Sequence, residues 1–322
     1  MKVESSTIQN KFLRVQTLNY GASLFEVYHK KNKINLILNL GSKENYRYKH
    51  PNVGSTCGRY AGRISNAKFK IGNKKFNLNA NEGKNILHGG KVGFSLLPWT
   101  KVNQTKDKIV YQIHSRDKDQ GFPGNLVVNC IYQLRKKFLI IKYEYKSNKS
   151  THVNLTNHSY WNLEKNKKKM IYNHVLKLNS AKYLQINKNL IPTGKFKNIK
   201  KSIYNFSNFE SIGKKLDYFK NKKVNTKFKG FDTTFIIKKN IKNYVGTLKN
   251  NNSNIKVDFF SNLPGVQLYS AQNLNYKKKL FPYQGICLET QYFPDSPNKK
   301  NFPSTLIKPN KMYTCFTKIK IS

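Results

Sequence analysis

The sequence predicts an all-β chain folded as one large antiparallel β-sandwich, and three observations carry the prediction. Apolar residues come in short, strand-length runs separated by turns rich in Gly, Asn and Lys. Almost nothing shows the period of a surface helix. Phe and Tyr number 20 each within a hydrophobic fraction of only 38%, so bulky rings supply the buried area that a modest apolar count withholds. The 322 residues suit a single sandwich domain over 1–322, because sandwiches often exceed the usual domain size.

From Phe12 to Leu40 the runs FLRVQTL, ASLFEVY and INLILNL are broken by Asn-Tyr-Gly and Lys-Lys-Asn-Lys, a series of strands and hairpins. GSTCGRYAGRIS, after Gly54, is too glycine-dense for a helix and reads as a loop carrying Arg59 and Arg63. Lys68 to Leu78 reads as a hairpin around Gly72-Asn73. The next loop, NEGKNILHGGKVGF, centres on His88-Gly89-Gly90, whose spacing is neither a dinucleotide fingerprint nor a Walker loop. Three strands follow, in KIVYQIHS, NLVVNCIYQL and KFLIIKYEYKS, with Leu126, Val128, Cys130, Tyr132 and Leu134 in one phase. That meander runs into THVNLTNHSYWNL, where Val153 and Leu155 alternate with polar residues and His158 sits beside Tyr160-Trp161. Glu164 to Gly230 is less patterned, with a short helix expected near Phe206 to Phe219. Beyond Gly230, GFDTTFII, NYVGTLKN, NIKVDFFS, VQLYSAQNL, QGICLETQYF and KMYTCFTKIKIS complete the strands.

Composition narrows the function. The formal charge of +45 would ordinarily suggest nucleic acid or an anionic membrane. However, the lysines are spread from end to end beside Asn and Ile, all three being A/T-rich codons, and lysine far outnumbers the arginine that bidentate base recognition favours. Neither a specific nucleic-acid partner nor a membrane is expected. Cys57, Cys130, Cys287 and Cys315 lack metal-ligand spacing and are expected to be buried thiols. The first residues hold no apolar targeting segment, and a soluble cytoplasmic protein, monomer or homodimer, is the expectation.

Only fifteen residues are acidic, so carboxylates inside apolar strands stand out: Asp232 in GFDTTFII and Glu289 in ICLETQYF. Each needs a cation, a donor or a ligand, and an ion pair with lysine is the plainest alternative. With His88, His158, Gln267 and Arg63 they make the mixture of carboxylate, amide, imidazole and guanidinium groups that a polyhydroxylated ligand wants, with Tyr160 or Trp161 offering an aromatic face.

These segments resemble the aldose 1-epimerases (galactose mutarotases). The resemblance rests on NLTNHSYWNL together with GRYAGRI (58–64), NILHGGKVGF (85–94), GFPGNL (121–126), LIPTG (190–194), GFDTTF (230–235), PGVQLYS (264–270) and CLETQYFPDSPN (287–298), in order across almost the whole chain. It implies a galactose mutarotase-like sandwich that binds a hexose without metal or cofactor. By motif position Glu289 resembles the general base and His158 the general acid, while Arg63, His88, Asp232 and Gln267 match substrate-binding positions. Charge pairing with Glu289 is expected to outweigh burial and keep His158 protonated. Four positions depart from the family pattern: Gly62, Thr233, Gln272 and His152. Gly62 and Thr233, beside binding positions, bear on sugar preference. A hexose-6-phosphate epimerase and a catalytically silent sugar-binding protein are the alternatives on the same fold.

Overall fold

The computed structural model describes residues 2–221, 229–239 and 242–322. Two antiparallel sheets dominate. The larger has nine strands in the order Thr100–Gln104, Lys108–Ser115, Leu126–Arg135, Phe138–Ser147, Tyr313–Ile321, Ile255–Ser261, Tyr244–Asn250, His174–Leu178 and Glu210–Ser211. The second has five: Pro192–Asn198, Ser180–Ile186, Asp232–Ile237, Gly265–Tyr269 and Cys287–Gln291. A four-stranded sheet built from Ser5–Gln9, Leu13–Leu18, Ser23–His29 and Ile34–Asn35 covers one end. One hydrophobic cluster, reaching from Ile8 to Ile321, takes side chains from all three sheets.

Alternation explains why the layers close. Leu126, Val128, Cys130, Tyr132 and Leu134 are all buried, in the phase expected, and pack inward with Leu139, Ile141 and Tyr143 of the next strand. In the five-stranded sheet Phe235, Val266, Leu268 and Leu288 face the core. Their neighbours Thr234, Gln267 and Glu289 therefore face the other way. All four cysteines are free and buried.

Three sequence-based expectations shift. The hairpin around Gly72 forms as expected, with Lys68–Ile71 pairing Lys74–Asn77. The helix, however, lies at Ile212–Asn221, C-terminal to its expected place. Asn205 holds the chain in a local turn, its Oδ1 accepting from the Ser207 N–H at 3.1 Å, and Phe206 goes into an aromatic cluster with Phe231 at 5.3 Å and Phe235 at 6.1 Å. The stretch from Thr151 is a broken strand: Thr151–His152 pairs with Leu306–Ile307, and Thr156–Asn157 pairs with Thr56–Cys57. Asn154 sits at the break because its side chain is spent on two loops, donating to the Ala61 carbonyl at 2.9 Å and accepting from the Tyr292 N–H at 2.9 Å. Trp161, expected to offer an aromatic face to a ligand, is instead core, edge-on to Phe259 at 5.5 Å. Adjacent residues on an extended chain point to opposite sides, and Tyr160 takes the other one.

Candidate active site

A cleft of about 260 Å³ opens on the face of the five-stranded sheet turned away from the core. Register builds its wall. Thr234 pairs with Gln267 and Gln267 with Glu289, so three neighbouring strands present a polar rung at one level. Asp232 and Tyr269 form the adjacent rung. Within the wall, the Gln267 amide donates to Asp232 Oδ1 at 2.6 Å and accepts from the Thr234 hydroxyl at 2.5 Å. All six residues singled out from the sequence, Arg63, His88, His158, Asp232, Gln267 and Glu289, line this one cleft.

Loops bring in the remaining groups. His158 follows the Thr156–Asn157 strand, and its backbone is fixed by two bonds: its N–H donates to the Ser55 carbonyl at 2.9 Å and its carbonyl accepts from Gly54 at 2.9 Å. Its ring stacks on Tyr160, centroids 5.0 Å apart, and meets His88 edge-on at 5.5 Å. The Nε2 atom lies 3.7 Å from Glu289 Oε1, and Nδ1 lies 3.5 Å from Cys287 Sγ. His88 accepts a hydrogen bond at Nδ1 from the Gly62 N–H, 3.3 Å, which leaves its Nε2 to carry the proton. Arg63 is clamped by two bonds to Glu82, 2.6 and 2.7 Å.

The glycines around these residues serve packing. A Cβ on Gly89, at φ +89°, would fall on the Gly58 carbonyl, so His88-Gly89 seats against the GRYAGR loop backbone to backbone. Arg59 of that loop is buried and structural, its guanidinium donating to the carbonyls of Ser115, Arg116, Pro123 and Gly124. Asp295, fully buried, accepts from the Ser65 N–H at 2.9 Å, while its own N–H donates to the Arg63 carbonyl at 2.7 Å. The segment after Glu289 thereby fixes the segment that carries Arg63.

Electrostatics correct one expectation. Burial lowers the His158 pKa to about 4, and burial, with a smaller push from Asp232, holds Glu289 well above the usual carboxylate range. Desolvation therefore outweighs charge pairing at His158, the reverse of the order expected, and favours the neutral imidazole. Glu289 Oε2 is buried with no hydrogen-bond partner among the described residues. Burial also depresses His88, helped by the charges of His158 and Arg63. Asp232 is raised by burial, with Arg63 and the Gln267 hydrogen bond opposing. Burial works against the charge on Arg63, but Glu82 and Asp232 outweigh it and raise its pKa.

Of the departing positions, Gly62 lines the cleft, whereas Thr233 is buried on the opposite face of its strand and Gln272 and His152 lie outside the lining. Thr233 is thus on the wrong side of the sheet to touch a ligand. Sequence reasoning missed Glu82, the contact between Cys287 and His158, and the hydrophobic lip of Ile186, Leu190 and Pro192. Glu82 had a signal: it is one of few acids, placed in a loop six residues before His88.

His158, Cys287 and Glu289 also bring three ligating atoms within 4.8 Å of one another. One ring nitrogen faces the thiol and the other the carboxylate, so this donor set reads first as a proton-transfer group.

Solved structures with this architecture cover the whole chain. A GalM/aldose epimerase homologue from C. elegans superposes with a TM-score of 0.91 at 22% identity, covering 100% of this chain and 99% of that one. Galactose 1-epimerase from Lactobacillus acidophilus gives 0.85 at 24%, with the same coverage. The fold is that of the galactose mutarotase-like β-sandwiches. Sequence carries the match further, since the aldose 1-epimerase family model fits residues 4–320. Galactose mutarotase from Mus musculus is 31% identical across 99% of this chain and 94% of its own length. Aldose 1-epimerase from Haemophilus influenzae is 32% identical across 91% and 87%. The chain belongs to the aldose 1-epimerase family, and it is an enzyme of that family.

Proposed function

We propose that the protein interconverts the α and β anomers of a free hexose such as galactose or glucose, with Glu289 as general base and His158 as general acid. The observation that carries this reading is the pair itself: an imidazole and a carboxylate 3.7 Å apart on a cleft, with one carboxylate oxygen lacking a donor. Anomerisation removes the proton from the C1 hydroxyl and protonates the ring oxygen. Both oxygens are bonded to C1, so the acid and the base must stand close together. The ring opens to an aldehyde, C1 turns, and closure reverses both transfers.

The mechanism needs one proton held by the pair. A sugar hydroxyl donating to Glu289 Oε2 gives that oxygen a hydrogen bond and favours the carboxylate. The proton then moves to His158, whose depressed pKa makes it a strong donor to the ring oxygen. Arg63, His88, Asp232 and Gln267 hold the remaining hydroxyls, and Tyr160 and Tyr269 supply aromatic surface.

Charge in the cleft favours an uncharged sugar over a hexose 6-phosphate. Among the described residues Arg63 is the one Lys or Arg that lines the cleft, and it is already engaged by Glu82, while Lys84 and Lys188 line the adjoining pocket. Three acidic side chains, Glu82, Asp232 and Glu289, face it, and any that is ionised would repel a phosphate. Polarimetry on freshly dissolved α-D-galactose and α-D-glucose, with anomer exchange of glucose 6-phosphate followed by NMR, tests the reading. Fast exchange of the free sugars and slow exchange of the phosphate is expected. Sugar binding without accelerated mutarotation would establish a silent binding protein instead.

A further inference from the structure

We propose that Glu82 decides which sugars the cleft admits: its carboxylate orients Arg63 toward a hydroxyl of the ligand and cancels the charge that would otherwise draw in a phosphate. This rests on Arg63 holding a sugar hydroxyl, as proposed above, and makes Glu82 a positioning residue that acts on the sugar through Arg63.

Backbone pairing builds the contact. Arg63–Ile64 pairs antiparallel with Ile86–Leu87. The chain entering that second strand turns tightly at Gly83-Lys84, where Glu82 and Asn85 exchange backbone hydrogen bonds of 3.1 and 3.0 Å. Two asparagines tie the turn down. Asn81 makes two side-chain bonds to the Leu87 backbone, 3.0 and 2.7 Å, and Asn85 accepts from the Asn66 N–H at 3.0 Å. From this fixed turn Glu82 takes one edge of the guanidinium with both its oxygens, Nε at 2.6 Å and Nη2 at 2.7 Å. That leaves the Nη1 amino group, with no hydrogen bond among the described residues, for a ligand in the cleft that Arg63 lines.

The neighbours show what Glu82 prevents. Asp232 is close enough for its charge to act on Arg63, yet its Oδ1 takes the Gln267 amide at 2.6 Å instead. Without Glu82 the guanidinium would be free to turn to Asp232, and two groups that hold sugar hydroxyls would satisfy each other. Arg63 and Glu82 also line the adjoining cavity, together with Lys84 and Lys188. Removing the Glu82 charge therefore leaves three cations, Arg63, Lys84 and Lys188, where the cleft meets that cavity, and the local charge rises by one whichever way Arg63 turns. A phosphate gains attraction there while a neutral sugar loses an oriented donor, so one carboxylate separates the two substrates.

The test is anomer exchange of glucose and glucose 6-phosphate, followed by NMR over a range of concentrations, in the wild type, Glu82→Gln and Arg63→Lys. Glu82→Gln is expected to raise KM for glucose roughly 10-fold with kcat nearly unchanged, and to raise the ratio of kcat/KM for the phosphate over the free sugar by roughly 10-fold. Arg63→Lys keeps a cation against Glu82 but loses the planar fork, so KM for glucose should rise while that ratio stays where it was. A turn merely loosened by substitution would weaken both sugars alike. An unmoved ratio or an unchanged KM for glucose in Glu82→Gln therefore overturns the inference. So does a raised ratio or an unchanged KM in Arg63→Lys, which decides the matter alone if Glu82→Gln does not fold. A wild-type protein that exchanges glucose 6-phosphate as fast as glucose would instead overturn the reading of the substrate, a separate result.

Discussion

At the level of single residues the cleft is a contest between burial and pairing, and its outcome sets the pH behaviour. With burial lowering His158 and raising Glu289, the pair should work while it holds one proton, so activity should be lost when it gains a second and again when it loses the only one. The acid limb is expected near pH 4, where His158 titrates, and the alkaline limb where the raised Glu289 ionises in the free enzyme. A pH–rate profile of kcat/KM reads both, and a monotonic rise through strongly alkaline pH would contradict the assignment. Glu289→Gln should lower kcat by something on the order of 100- to 10,000-fold with the melting transition retained; retention of most activity would move the base elsewhere. Glu289 stood out in the sequence as a rare carboxylate in an apolar strand and His158 as an imidazole beside aromatics, the resemblance implied their roles, and the fold brings both to one cleft. Their protonation was not, since it depends on how completely the folded chain excludes water.

Strands and loops were legible to different degrees. The meander from Lys108 to Ser147 could be read residue by residue, because one buried face imposes strict alternation. The helix was displaced because a local Asn205 turn and the pull of Phe206 into an aromatic cluster override propensity. Alternation also could not tell which of Tyr160 and Trp161 faced the cleft, since the pattern gives two faces without labelling the core. Loop contacts such as Arg63 with Glu82 depend on which turns meet in space. Gly89 is the clearest case of a loop residue with a tertiary reason. Gly89→Ala forces a side chain onto the Gly58 carbonyl at a positive φ, and a loss of about 3 kcal/mol in urea unfolding is expected, together with weaker sugar binding as His88 is displaced. A loss below ~1 kcal/mol would show that the two loops can part at little cost.

Over the whole molecule, burial of imidazoles ties stability to acidity. His50, His152, His158 and His174 are lowered to about 4 by burial, and burial lowers His88 and His29 as well. In the unfolded chain each binds a proton near 6.5, so between 6.5 and about 4 the unfolded state holds more protons. Stability that is complete above 6.5 therefore falls as pH drops through that window, by about 1.4 kcal/mol per pH unit for each full proton of difference. Asp232 and Glu289, raised in the fold, act with the opposite sign but are only two against six lowered imidazoles. Urea midpoints at pH 7, 6 and 5 should decline in that order, and a flat series would refute the linkage. The rung formed by Thr234, Gln267 and Glu289 has a further consequence. Because Val266 and Leu268 alternate with Gln267 on the same strand, a slip of one position would expose the apolar side chains and bury the polar ones at a stroke. The information that makes the sheet cohere and the information that makes it chemically competent are then one and the same. During refolding from urea, enzymatic activity and the fluorescence of the buried Trp99 and Trp161 should return with a single shared rate constant, and a protein that recovered its fluorescence while lagging in activity would show that the two are separable.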